Sequence, residues 1–167
     1  VLHSGSQGEL LRGLEGLALD VILTNVAPAR DATSPWLIHR LDEQPVSLIG
    51  TPARVGQGAA TLAELIARHP LIVPPRETGL RASFDALTAR LGVAPSYAAE
   101  VDDMAMIRLL ARADAGLAII PPIVVRDELS SGLLVEASRL DGIGETFLAV
   151  TRSGRFPKPI LADVLPG

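Results

Sequence analysis

The sequence predicts an α/β fold, on three observations. Short β-branched runs alternate with segments of helical period along the 167 residues. Helix-start signals recur immediately ahead of the helical segments. The composition, 48% hydrophobic and 20% charged with 3% aromatic, supplies a core of Leu, Ile, Val and Ala. A mean hydropathy of +0.34 argues against disorder. The length suits one domain, or two small lobes sharing one chain.

Val1-Leu2-His3 is a short apolar start. Ser6 and Glu9 then match the capping box S-x-x-E, in which each side chain satisfies the other residue's free backbone N–H. Leu10, Leu11, Leu14 and Leu17 follow at helical spacing, and residues 20–24 read as a buried strand. Strand, helix and strand in this order signal a parallel sheet. Residues 25–35, polar and rich in Ala, Pro and Asp, read as a loop. Residues 36–41 and 46–49 read as two further strands, the second closing at Gly50-Thr51-Pro52.

Thr61 and Glu64 make a second capping box, opening a helix that packs Leu62, Leu65 and Ile66. Arg68 and His69 complement its negative end, and Pro70 stops it. The cycle then repeats. Leu71-Ile72-Val73 is a strand, and a helix over 79–91 packs Leu80, Phe84, Leu87 and Leu91 before Gly92 ends it. Residues 96–101 form a strand, after which Asp102 or Asp103 caps a helix carrying Met106, Leu109, Leu110 and Ala113. Residues 116–120 are another buried strand, and Pro122 suits the first turn of a short helix reaching Leu129. Residues 133–135 and 146–150 are strands flanking Gly142-Ile143-Gly144, and 159–165 form a last helix.

Charge and motif content exclude several functions. The 15 basic residues face 19 acidic ones, a net charge of −4, and no basic stripe compensates, so this chain alone is not expected to bind DNA. With no cysteine, disulfides and thiolate metal sites are out. No apolar run approaches a membrane span, so no membrane partner is expected. His3, His39 and His69 lack metal-ligand spacing. Ser4-Gly5-Ser6-Gln7-Gly8 does not meet the nucleophile elbow G-x-S-x-G. Gly56-Gln57-Gly58 lacks the Gly-Lys-Ser/Thr of a phosphate loop. The expectation is a protein that is not an enzyme and holds no cofactor or metal.

Three stretches, in this order and spacing, resemble the effector-binding (substrate-binding) domain of LysR-type transcriptional regulators. The first is Gly5-Ser6-x-x-Glu9-Leu10-Leu11 with Leu19-Asp20-Val21-Ile22-Leu23. The second runs from Thr61-Leu62-Ala63-Glu64-Leu65 to Pro70-Leu71-Ile72. The third is Ala113-Asp114-Ala115-Gly116-Leu117-Ala118-Ile119-Ile120-Pro121 ahead of Gly132-Leu133-Leu134-Val135. Residues 100–105 and 155–159 are also similar to the branch that regulates sodium/proton antiporters.

The resemblance implies a two-lobed fold of the periplasmic-binding-protein type (type 2), with an effector cleft between the lobes. It assigns 1–49 plus 145–167 to lobe I and 52–142 to lobe II. It also implies that the chain is N-terminally truncated, starting after the DNA-binding winged helix-turn-helix, the linker helix and the first strand and helix of lobe I. The expected protein is the sensing part of a bacterial, cytoplasmic regulator that binds a small molecule or ion to control transcription. DNA would be bound only through the missing N-terminal domain, and the full-length protein would be a dimer or tetramer. The alternative is the solute-binding protein of a transporter, which shares the fold.

In open α/β sheets, ligands sit at the carboxyl ends of strands, where helix N-termini expose free N–H groups. That rule selects Ser6 in the first lobe, and the two-lobed fold that the resemblance implies puts Thr24 and Asn25 at the floor of the cleft. In the second it selects Arg76, Thr78, Asp102, Asp103, Met104 and Pro121. Against each stands a plainer reading, in which Ser6, Thr78 and Asp102 only cap helices. The two aspartates favour a cation or a hydroxyl-rich effector. Arg76 and Arg81 instead favour a carboxylate.

Overall fold

The structure, a computed structural model, describes residues 1–29, 34–56, 58 and 60–153. It is a mixed α/β arrangement. The strands, in hydrogen-bonded order, run β1-β6-β2-β5-β3-β4: β1 (Ile22–Thr24), β6 (Val135–Arg152), β2 (Trp36–Gly50), β5 (Leu117–Ile120), β3 (Leu71–Val73) and β4 (Tyr97–Glu100). The helices are α1 (Gln7–Glu15), α2 (Pro52–Val55), α3 (Leu62–Arg68), α4 (Gly79–Leu91), α5 (Met104–Arg112) and α6 (Arg126–Ser131), the last preceded by a 3₁₀ turn at Pro122–Val125. The expected helix at 159–165 lies outside the described residues.

Two pairs of strands expected to be separate are continuous. Residues 36–50 form one strand through the polar stretch Asp42-Glu43-Gln44, and 135–152 form one through Gly142. Asp42 and Glu43 are exposed, so their polarity reflects water contact and not a turn. Gly142 has φ +76, a left-handed conformation that bends a strand without ending it. Turn residues and strand kinks share a composition, so neither stretch differs from a break in sequence alone.

The chain divides into two compact units: Val1–Glu43 with the chain from Thr146 on, and Gln44–Glu145. Both dividing points fall inside the long strands β2 and β6. In the first unit β1 pairs antiparallel with β6, Ile22 opposite Val150 and Thr24 opposite Leu148. Leu14, Ile22, Trp36 and Val150 form its core, with Leu10, Leu11 and Leu19 packed against them.

In the second unit β3 runs parallel to both β4 and β5, whereas β2 pairs with β5 antiparallel. Apolar clusters line both faces of this sheet. Leu71, Val73, Phe84 and Leu117 belong to one, and Ile72, Ile107, Ala118 and Val125 to the other. Burial on both faces explains why β3 and β5 read as unbroken apolar runs. The start of β5 is fixed by close backbone approach. Leu117 N donates to Pro70 O at 2.9 Å, and a Cβ on Gly116 would lie 2.5 Å from that same oxygen. Only glycine fits there without displacement.

Candidate effector site

In the first unit, the start of α1 meets the end of β1. Ser6 is the N-cap: its hydroxyl accepts from Glu9 N, and the Glu9 carboxylate accepts from Ser6 N at 2.9 Å and from Ser6 Oγ at 2.7 Å. These bonds hold the Glu9 carboxyl below its ordinary range. Thr24 Oγ1 accepts from Val26 N at 3.1 Å and donates to Val26 O at 3.2 Å, folding the chain back after β1. Gln7 Nε2 also donates to Val26 O, at 2.7 Å, tying the helix start to the strand end. Ser6 and Thr24 are thus held at one location, with Asn25 exposed beside them. Sequence reasoning missed Gln7, which lies 19 positions from its partner and carries no local signal.

A cavity of about 390 Å³ adjoins β1 in this unit, lined mostly by apolar side chains such as Leu2, Leu10, Leu19, Val21 and Leu23. Its lining includes Ser4 and Gly5 but not Ser6, Thr24 or Asn25.

In the second unit, parallel pairing puts the carboxyl ends of β3, β4 and β5 on one sheet edge. The loops leaving that edge carry Arg76 and Thr78, then Asp102, Asp103 and Met104, then Pro121. Thr78 caps α4: its hydroxyl accepts from Arg81 N at 3.2 Å and donates to Pro75 O at 2.8 Å. Of the two candidate caps of α5, Asp103 is the one used, its Oδ1 accepting from Ala105 N at 2.7 Å. Asp102 is exposed and makes no such bond. Met104 is the first residue of α5. Pro121 is buried just before the 3₁₀ turn, which has no side-chain cap. Arg76 is exposed, with no ion pair among the described residues.

Arg81 does not face outward as a free carboxylate clamp. Its side chain is only 2% exposed, and the guanidinium donates to Asp85, Glu100 and Pro74 O. Its place on the buried stripe Arg81, Phe84, Thr88 was the available signal, together with Asp85 four residues on.

A third polar cluster lies at the opposite, amino ends of β3 and β5. Thr51 Oγ1 donates to Asp114 Oδ1 at 2.7 Å, and Arg54 Nε donates to the same oxygen at 2.8 Å. These bonds hold the Asp114 carboxyl below its ordinary value. Burial, helped by the charges of Arg54 and Arg68, pushes the nearby His69 down. No group of three or more His, Asp or Glu with metal-binding geometry occurs among the described residues.

The LysR substrate binding domain family matches residues 1–165. The chain belongs to that family. It is an effector-sensing regulatory domain of the LysR kind, and the family is one of transcriptional regulators. No curated protein is a significant match. Among solved structures, the regulatory domain of HypT from Salmonella typhimurium (apo form) is similar at 17% identity and TM-score 0.69, over 97% of this chain and 77% of that one. The effector-binding domain of QuiR in complex with shikimate is similar at 16% identity and TM-score 0.65, over 93% of this chain and 72% of that one. Full-length CbnR complexed with its target DNA is similar at 21% identity and TM-score 0.73, over 97% of this chain and 56% of that one. At these identities the likeness is one of fold, here the periplasmic-binding-protein type, and the chain spans little over half of a full-length regulator.

Proposed function

We propose that this domain binds a small polar molecule or ion at the carboxyl ends of its strands. Ser6, Thr24 and Asn25 act in the first unit, and Arg76, Thr78, Asp102, Asp103, Met104 and Pro121 in the second. The observation that carries the reading is the shared edge of β3, β4 and β5, where two helix starts offer backbone N–H groups beside polar side chains. Binding biases the conformation it favours by no more than its differential affinity for that state. In the parent regulator that bias passes to a DNA-binding domain outside this sequence, in a cytoplasmic dimer or tetramer. A net charge of −4 supports DNA contact through that domain and not through this one. Among the described residues no helix is long and apolar enough to cross a membrane.

The effector is cationic or rich in hydroxyls. Arg81 is neutralised by Asp85 and Glu100, leaving Asp102 exposed near the start of α5. A second reading, a carboxylate effector, rests on exposed Arg76. Asp102→Asn and Asp103→Asn in the full-length regulator separate the two, because Asn still caps a helix. For a cationic effector, the concentration giving half-maximal transcription rises about tenfold, the worth of one modest charge contact. An unchanged response in a folded protein removes the pair from the site. Loss of response in Arg76→Ala alone favours the carboxylate.

A further inference from the structure

Arg81 occupies a costly position. It is in the first turn of α4, where the helix dipole disfavours a cation, and it is buried, where desolvation disfavours any charge. Burial works against its charge, yet the bonds and charges of Asp85 and Glu100, with help from Tyr97, hold its pKa above the ordinary value. Replacing a buried ion pair by apolar side chains is often neutral or stabilising, so stability alone does not explain a charged network here. What the guanidinium supplies that an apolar residue cannot is direction: several donors fixed in one plane.

The directions matter. One Nη1 donates both to Pro74 O at 3.2 Å and to Glu100 Oε2 at 3.1 Å, while Nε donates to Asp85 Oδ1 at 2.9 Å. The Tyr97 ring lies 4.5 Å from the guanidinium carbon. Pro74 opens the loop that carries Arg76 and Thr78. Glu100 ends β4, two residues before Asp102.

We propose that Arg81 is a positioning residue, clipping the carbonyl after β3 to the carboxylate ending β4 so that both loops leave the sheet edge in fixed relation. Arg81 touches no effector itself. It orders the loop of residues 74–78 and the turn of 101–104 before anything binds, which lowers the ordering cost of binding. Its meaning for effector affinity rests on the site proposed above, whereas the clip can be tested without any effector.

The test is amide hydrogen exchange, read segment by segment, in the native chain and in Arg81→Lys, Arg81→Gln and Glu100→Gln. A clip predicts that Arg81→Gln speeds exchange in 74–79 and 100–105 about tenfold or more while β5 changes less than about twofold, since local opening is decoupled from global unfolding. Arg81→Lys, which keeps the charge but not the fork, restores part of the protection, and Glu100→Gln loosens 100–105 more than 74–79. Uniform acceleration including β5 would make Arg81 an ordinary core residue and overturn the proposal, as would unchanged exchange in both loops. If Arg81→Gln does not fold, Arg81→Lys and Glu100→Gln still decide through the same local pattern. Because no effector enters, failure of the effector site would leave a local result standing, and failure of the clip would leave the transcription test intact.

Discussion

The two strand-end clusters are built differently. At the start of α1 the polar bonds are short-range and exposed: Ser6 with Glu9, Thr24 with Val26, and one longer link from Gln7. At the starts of α4 and α5 the caps are also local, but they stand over buried Arg81, whose partners lie four, seven and 19 positions away, the last on β4. The first cluster rests on a core of four buried residues, the second on two larger ones. The contrast shows that a helix cap is a property of sequence, whereas the rigidity beneath it is a property of packing. The second unit should therefore hold its polar groups in place with no effector present, and the first should be easier to deform.

Removing packing beneath the second cluster has the largest expected effect. Phe84 is fully buried one turn after Arg81, so Phe84→Ala should cost about 3–5 kcal/mol, measured by denaturant unfolding. A loss below about 1 kcal/mol would mean that the site can collapse, which the close-packed account excludes.

Acid comes next. The carboxyls of Glu9, Glu64, Asp114 and Glu128 are all lowered in the fold, the last against its burial by the Arg108 bond and nearby Arg112. Their contribution is present above the ordinary 4.5 or 3.8 and is lost as pH falls through their lowered values. His69, also lowered, is favoured neutral, so below its ordinary 6.5 the unfolded chain takes up the proton more readily. Both effects have one sign. The melting temperature should fall as pH drops below about 6.5, through His69, and fall further below about 4.5, as the lowered carboxyls take up protons; a rise in either step would contradict the assigned partners.

The caps differ by less. Thr78→Ala removes two bonds in a half-buried setting, and Ser6→Ala removes bonds that water can replace. Each costs about 0.5–2 kcal/mol, with Thr78 the larger. Equal losses would erase the contrast between the units. Smallest of all, Asp103→Asn should change stability by less than about 0.5 kcal/mol, because Asn caps as well as Asp.

These differences track what the sequence could reveal. Both capping boxes were legible because Ser6–Glu9 and Thr61–Glu64 are three positions apart and the chemistry is local. The alternation of strands and helices was legible because both faces of the second sheet are covered. The continuity of β2 and β6 was not, since exposed polar residues and a left-handed glycine look the same in a kinked strand and in a turn. Among the candidate site residues, the location of Thr78 and of the Asp102–Asp103 pair followed from strand-then-cap order. The role of Arg81 did not: its helix stripe and Asp85 hint at burial, but its bonds to Pro74 O and Glu100 arise only through the fold. Gln7 and Glu100 meet their partners only through the fold.

The most direct test of the central claim is to map where an inducing compound protects the domain. With a compound that changes transcription by the full-length regulator, amide exchange should slow at residues 76–79 and 102–104, at the shared strand edge of the second unit. These segments carry the strand-end donors. Protection confined to Thr51, Arg54 and Asp114, or to the apolar cavity beside β1, with those segments unchanged, would contradict it.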